Sequence, residues 1–222
     1  GYCPTPFPRA AYAAMVTCLD TKVGALLRLL VELGLEENTL VVFTSDNGSA
    51  FRTGGADPDF FSVNGPLRNH KGALYEGGIR VPFIARWPGR IRPSVSDVPA
   101  AGYDLFATFS EIAGLNETDI PSDGRSLWPL LISKPYKPHK FLNFELVEYG
   151  GQQAVRMGKW KAVRRNILKN PTAPWELYNL STDIGETRDL SSIHPRIVSR
   201  AAAIARREHA PALRTEWDFV GR

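Results

Sequence analysis

Cysteine is scarce: Cys3 and Cys18 are the only two in 222 residues. That is too few for a disulfide scaffold or a thiolate zinc cluster, and their spacing does not decide whether they pair. The redox compartment therefore stays open. No run approaches the roughly 20 apolar residues that a membrane helix needs, so no membrane partner is expected. The chain opens at Gly1 with no methionine, basic n-region or signal-like apolar core, which leaves export undecided. An excess of either charge is also missing. The formal charge is +4 and the pI near 9.1, with Lys and Arg dispersed along the chain, so no nucleic-acid partner is expected, while the weak positive field favours an anionic ligand. No repeat or low-complexity tract interrupts the sequence.

What remains is an ordinary globular composition, 43% hydrophobic and 23% charged, enough for one sizeable core or a core plus a small appendage. From Tyr12 the apolar positions Met15, Val16, Leu19, Val23, Leu26, Leu27, Leu30 and Leu33 recur at three and four, predicting a helix with a core-facing stripe that Gly34 ends. The run Thr39 to Thr44 predicts a buried parallel strand. Phe51 to Asn64, rich in Gly, Asp, Ser and Pro, predicts a loop. A strand is expected over Ile79 to Trp87, and a helix capped by Asp104 and ended by Gly114, then a turn at Pro121 to Gly124 and a short buried element at Leu127 to Leu131.

After the Pro-rich stretch Lys134 to Pro138 the pattern changes to short strands at Phe141 to Val147, Gln153 to Met157, Lys159 to Arg164 and Trp175 to Tyr178. Gly150-Gly151 and Met157-Gly158 serve as turns. Pro195 to Arg207 reads as a helix able to cover one face of that sheet. The expected fold is α/β with flanking helices, followed by a small C-terminal antiparallel sheet covered by a helix, and the expected domains are 1–138 and 139–222.

Two features carry chemistry. Ser45-Asp46-Asn47-Gly48 stands where the predicted strand ends, the place where open α/β sheets bind ligands. Asp46 and Asn47 put two hard oxygen ligands side by side, suiting Ca²⁺ or Mg²⁺ over zinc. The bland alternative is a turn, where Asp, Asn and Gly are favoured for local hydrogen bonding. Further along, Gly65 to Pro82 is a glycine-punctuated segment that presents Lys71, with Arg68, Asn69 and His70 beside it. Lys71 can neutralise an oxyanion or simply be a solvated loop lysine. His70 can pass a proton or touch a ligand, though a loop histidine is commonly a bystander. Gly72, Gly77 and Gly78 read as backbone devices, Glu76 and Arg80 as supporting ion pairs, and Trp160 and Trp175 as core aromatics or sugar-stacking rings.

The run from Val41 to Pro82, continued by Trp160-Lys161 and Glu176-Leu177-Tyr178-Asn179-Leu180, resembles the second half of the sulfatase catalytic domain, the formylglycine-dependent hydrolases of the alkaline-phosphatase-like superfamily. The resemblance implies a calcium-type cation beside a formylglycine nucleophile and hydrolysis of sulfate esters of a sugar or aryl alcohol. Asp46 and Asn47 match family metal ligands, Lys71 matches the lysine that meets the substrate sulfate, and Arg68 and His70 are candidate substrate contacts. The nucleophile motif, Cys or Ser followed by x-Pro-Ser-Arg, is expected upstream. Cys3-Pro4-Thr5-Pro6 imitates it with proline one place late and no arginine, so a missing N-terminal segment of the same protein is the implied partner and the chain alone is expected to be inactive.

One branch of the family has Glu-aromatic-His-Glu before the glycine pair, where this chain reads Glu145-Leu146-Val147-Glu148, so the histidine's contact is in question. By resemblance a periplasmic, secreted or lysosomal location is favoured. A noncatalytic module binding sulfated glycans or a protein partner is the competing reading. A phosphoesterase of the same superfamily is a third, which the absence of histidine after Asp46 disfavours.

Overall fold

The structure, a computed structural model, describes residues 5–52, 57–115 and 122–218. Cys3 and any pairing with Cys18 lie outside these residues, as do Pro121 of the expected turn and residues 53–56 of the expected loop. The chain forms two compact units. The first comprises Gly1–Asp46, Arg52–Asp57 and Val81–His139, the second Asn47–Phe51, Pro58–Arg80 and Lys140–Arg222.

The first unit opens with α1, Pro8–Glu32. Proline occupies its first turn, where a missing N–H costs nothing. At its other end Gly34 turns left-handed (φ +65°), and the amides of Gly34 and Leu35 donate to the carbonyls of Val31 and Leu30, a Schellman closure. The helix is where periodicity predicts it, but the expected burial of its stripe is not found. None of its residues is buried, and Met15 is 70% and Leu26 63% exposed. Periodicity identifies an apolar face without saying what covers it, and no described element of this unit does.

Strand β1, Val41–Thr44, pairs antiparallel with β2, Phe83–Arg86, in the register Val41 to Arg86 through Thr44 to Phe83. The expectation of a buried parallel strand is therefore corrected: β1 is half-buried and its neighbour runs the other way. A short apolar run fixes a strand but not the direction of its partner. β2 is also shorter than expected. Glu76–Ile79 instead makes a single helical turn, α2, in the second unit, and Pro82, with no N–H to donate, precedes the strand. The 3₁₀ turn Glu36–Asn38 buttresses this strand pair: Arg86 pairs with the Glu36 carboxylate, and the Trp87 indole donates to Glu37 O at 2.8 Å.

Helix α3 is Asp104–Ile112 and α4 is Trp128–Leu131. Asp104 is not the N-cap that sequence predicts. It is the first helical residue, fully buried, and its carboxylate accepts from the amides of Ala101 and Arg125, both at 2.8 Å, and stands 2.7 Å from His139 Nε2. It ties three separated segments together.

In the second unit β3 (Leu142–Leu146), β4 (Gln152–Met157), β5 (Trp160–Arg165) and β6 (Trp175–Asn179) form an antiparallel meander in chain order. The predicted turns at Gly150-Gly151 and Gly158 are there. Because strand side chains alternate with period two, the sheet has two distinct faces. On one, Val155, Met157, Ala162 and Leu177 pack with Ala201, Ile204 and Ala205 of α5, Pro195–Glu208, and Trp160 and Trp175 lie on the same side. On the other, Ala154, Val163 and Tyr178 pack with Leu74 and Tyr75. The segment that holds α2 thus lies flat on the sheet face opposite α5.

Candidate functional site

The second unit builds the surroundings of Lys71. Its backbone is held by the Asn47–Phe51 segment: Lys71 N donates to Ser49 O at 2.8 Å, and Gly48 N to Gly78 O at 2.9 Å. These contacts are very close. A Cβ on Gly77 would stand 2.1 Å from Asn69 O and 2.4 Å from Arg68 O, so only glycine allows the α2 turn to press against residues 68 and 69. The expectation that these glycines serve backbone geometry is met.

Lys71 itself is exposed, and its ammonium makes no ion pair or hydrogen bond among the described residues. His70 is better fixed. Asn64 Nδ2 lies within hydrogen-bonding distance of both Asn69 O and His70 Nδ1, and Ser49 Oγ stands 3.1 Å from the same ring nitrogen. A carbonyl cannot donate, so the Asn64 nitrogen must be the group facing it. That nitrogen therefore also donates to Nδ1, which leaves the His70 proton on Nε2. Asn64 and Ser49 thereby fix the orientation of the His70 ring.

Arg68 faces inward. Its guanidinium lies 4.0 Å from the centroid of the Tyr75 ring, and Nη1 donates to Tyr178 Oη at 2.9 Å and to Glu186 O at 2.7 Å. Glu176 joins this group, accepting from the Tyr75 hydroxyl, from Tyr178 Oη at 2.6 Å and from Arg165 Nη2 at 3.1 Å, while Arg68 Nη1 is 3.9 Å away. Burial works against ionising Glu176, but the two phenols and Arg165 outweigh it and hold its carboxyl below the ordinary value. Burial, seconded by the Glu176 carboxylate, pushes the Tyr178 phenol up to about 12 and that of Tyr75 further. Both tyrosines stay protonated donors.

A second buried polar group anchors α2. Lys161 Nζ bridges Glu76 Oε1 at 2.9 Å and Glu186 Oε1 at 3.1 Å, and the Glu76 amide donates to Glu186 Oε2 at 2.7 Å. Arg156 and Arg80 approach the other Glu76 oxygen at 3.5 and 3.7 Å. Glu76 and Arg80 are the supporting pair that sequence suggests. Burial raises the Glu186 carboxyl, with Lys161 opposing.

Beside Lys71 is a cavity of about 310 Å³ whose lining includes His70, Lys71, Tyr149, Gln152, Arg165 and Asn166. Gln152 forms part of its floor, accepting from Leu74 N at 3.2 Å and donating to Gly72 O at 2.8 Å. Trp160 and Trp175, considered as sugar platforms, pack on the α5 side instead. Tyr149, Arg165 and Gln152 escape a motif search, yet strand alternation marks Gln152, Lys161, Arg165, Glu176 and Tyr178 as one face. Asp46 is the last residue of the first unit and is exposed, with no ion pair or hydrogen bond among the described residues; Asn47 begins the second unit. Among the described residues no group of three or more His, Cys, Asp or Glu side chains is placed to hold a metal, and no helix is long and apolar enough to cross a membrane.

Comparison with known proteins identifies the family. The Sulfatase family model matches residues 6–115, and the model for the C-terminal part of N-sulphoglucosamine sulphohydrolase matches residues 69–199. Arylsulfatase A of Homo sapiens is 36% identical over 195 residues, covering 78% of this chain and 37% of its own. N-acetylgalactosamine-6-sulfatase of Mus musculus is 34% identical over 189 residues, covering 83% and 34%. The solved structure of Ps i-CgsB in complex with k-i-k-neocarrahexaose superposes with a TM-score of 0.75 at 32% identity, over 91% of this chain and 43% of that one. This chain therefore spans between a third and a half of the length of these relatives. Two family models that overlap at the Lys71 segment and together cover most of the sequence establish the conclusion: the chain belongs to the sulfatase family.

Proposed function

We propose that this chain contributes the metal-gripping and sulfate-binding half of a sulfatase that hydrolyses a sulfate ester of a sugar or aryl alcohol. The observation that carries the reading is the Lys71 ammonium, without a partner among the described residues, on the rim of a cavity, beside His70 and with its backbone fastened to the segment that begins at Asn47. Residues 1–138 would then be the C-terminal half of the catalytic domain and 139–222 its smaller subdomain.

The donor chemistry suits a hard cation. An exposed carboxylate followed directly by an amide offers two oxygens of the six to eight that Ca²⁺ takes, with Mg²⁺ a second fit. Asp46 and Asn47 are therefore part of a ligand set. When bound, the cation would neutralise sulfate charge, and a formylglycine from a segment outside these residues would supply the nucleophile. The residues of this chain bind and orient. Lys71 meets the nonbridging and leaving oxygens, where negative charge grows as the ester bond breaks. The His70 Nε2–H donates to a sulfate oxygen. Arg68, clamped between Tyr75 and Tyr178, holds the backbone that presents both.

Mixing experiments test this. The isolated chain should not turn over an aryl sulfate, and addition of the upstream segment of the same protein should restore hydrolysis in calcium buffer. Turnover by the chain alone refutes the division of labour. A complex that binds sulfated glycan without hydrolysing it would favour the noncatalytic reading.

A further inference from the structure

The cavity beside Lys71 has a second half that sulfate binding does not use. Tyr149 stands on its wall, 59% exposed as a residue. Its ring lies directly over Gly72 (φ +90°): a Cβ at Gly72 would be 2.7 Å from Tyr149 Cε2 and Cζ. The backbone holds it there at a cost. Tyr149 has φ +54° and Asn166 φ +59°, with Gly150 and Gly151 also left-handed, and a bulky residue in that region is strained. The two turns are locked together by the amides of Ile167 and Leu168, which donate to Gly151 O at 3.1 Å and Gly150 O at 3.0 Å. The strain fixes a largely exposed aromatic ring over Gly72 at the mouth of the cavity.

Charge gives the other half of the argument. Arg165 lines the same cavity, and its nearest acid, Glu176, is shared with Arg68. Glu176 is divided between two guanidiniums, and Asp183 also acts on Arg68, which leaves positive charge at Arg165, separate from the Lys71 ammonium. A ligand that carried only the ester sulfate would satisfy Lys71 and leave that charge unmatched.

We propose that Tyr149 and Arg165 read the alcohol half of the ester, and that this half is a sugar ring bearing a second anionic group, with the ring stacked on Tyr149 and the anion at Arg165. The inference rests on the proposed function for the identity of the group at Lys71. The cavity is at the lower end of the roughly 300–1,000 Å³ typical of small-ligand sites, which suits one sugar residue with its substituents. A carboxylate and a sulfate can each offer two oxygens to the fork of a guanidinium, and the test separates them.

Calorimetric titration of the whole chain in calcium buffer compares glucosamine 2-N,6-O-disulfate, glucosamine 6-sulfate, a uronic acid 2-sulfate and inorganic sulfate. The disulfate is expected to bind at least about tenfold more tightly than the monosulfate, and the uronic acid arm reads whether a carboxylate serves in place of the second sulfate. Arg165→Gln should abolish that ratio and Arg165→Lys should keep part of it, which guards against a folding artefact. Tyr149→Asn, whose side chain tolerates the left-handed backbone, should weaken every sugar about tenfold and leave inorganic sulfate unchanged. An unaltered ratio in Arg165→Gln, or no measurable binding of either glucosamine sulfate, overturns the inference. Lys71→Ala distinguishes the two readings: if it leaves inorganic sulfate binding intact while the Arg165 ratio persists, the sulfate-site reading fails and this one stands.

Discussion

Lys161 Nζ lies 2.9 Å from Glu76 Oε1 with both side chains buried, so the sheet holds the α2 turn by an ion pair cut off from water. Removing Lys161 leaves the buried Glu186 without its cation while Glu76 keeps Arg156 and Arg80, and stranding a buried charge costs about 3–5 kcal/mol. Lys161→Met should therefore lower the urea-derived unfolding free energy by about that amount, even though methionine fills most of the same space. A loss under about 1 kcal/mol would mean that water reaches the pair.

Half-buried Glu176 and fully buried Glu186 should give opposite pH dependences. The Glu176 carboxyl is held down in the folded state, so its contribution is present above the ordinary glutamate value, about 4.3, and is lost as pH falls through the folded value. Glu186 is raised by burial, so its contribution is fully present below that ordinary value and is lost as pH rises through the folded one. Urea midpoints measured from acid to neutral pH should fall less steeply with acidification in Glu176→Gln than in the parent, and more steeply in Glu186→Gln.

Gly77 and Gly89 separate steric from conformational demands on glycine. A Cβ at Gly77 collides with backbone oxygens that cannot rotate away, whereas at Gly89 (φ +74°) nothing lies within 4 Å. Gly89→Ala should cost on the order of 1 kcal/mol, from backbone strain alone. Gly77→Ala should cost more, about 1–3 kcal/mol or beyond, and thermal melts of the two variants rank them.

Lys71→Ala in the complemented enzyme should lower kcat by roughly 10²–10³, the loss that follows removal of one preorganised group at a developing oxyanion. Asp46→Ala should instead raise the calcium concentration needed for half activity. Titrating calcium back after chelation checks both. Equal calcium curves for Asp46→Ala and the parent would remove Asp46 from the ligand set.

Much of this molecule is legible in its residues. The four C-terminal strands, their turns and α5 fall within a residue or two of where alternation, glycine and helical spacing put them, because each of these signals is local. What failed was directional. The apolar run at Val41 to Thr44 specifies an extended chain, but its antiparallel partner Phe83–Arg86 lies 40 residues away and cannot be read from it. The Met15 to Leu33 stripe specifies a helix, not its burial. For the proposed site, motif and glycine spacing point to Lys71 and His70. Tyr149 and Arg165 were invisible because they come from a turn and a strand end that reach Lys71 only through the pairing of β4 with β5, whose register sets Gln152 opposite Arg165.

That alternation has a consequence for how the sequence can drift. Deleting or inserting one residue in β5 would rotate Lys161 and Arg165 to the side that α5 covers and bring Trp160 and Ala162 round in their place, a change no rotamer could undo. Viable length variants of this sheet should therefore gain or lose residues in twos, or confine odd changes to the glycine turns. The α5 side, an apolar packing surface, can exchange one hydrophobe for another while the opposite side keeps its charged and polar side chains.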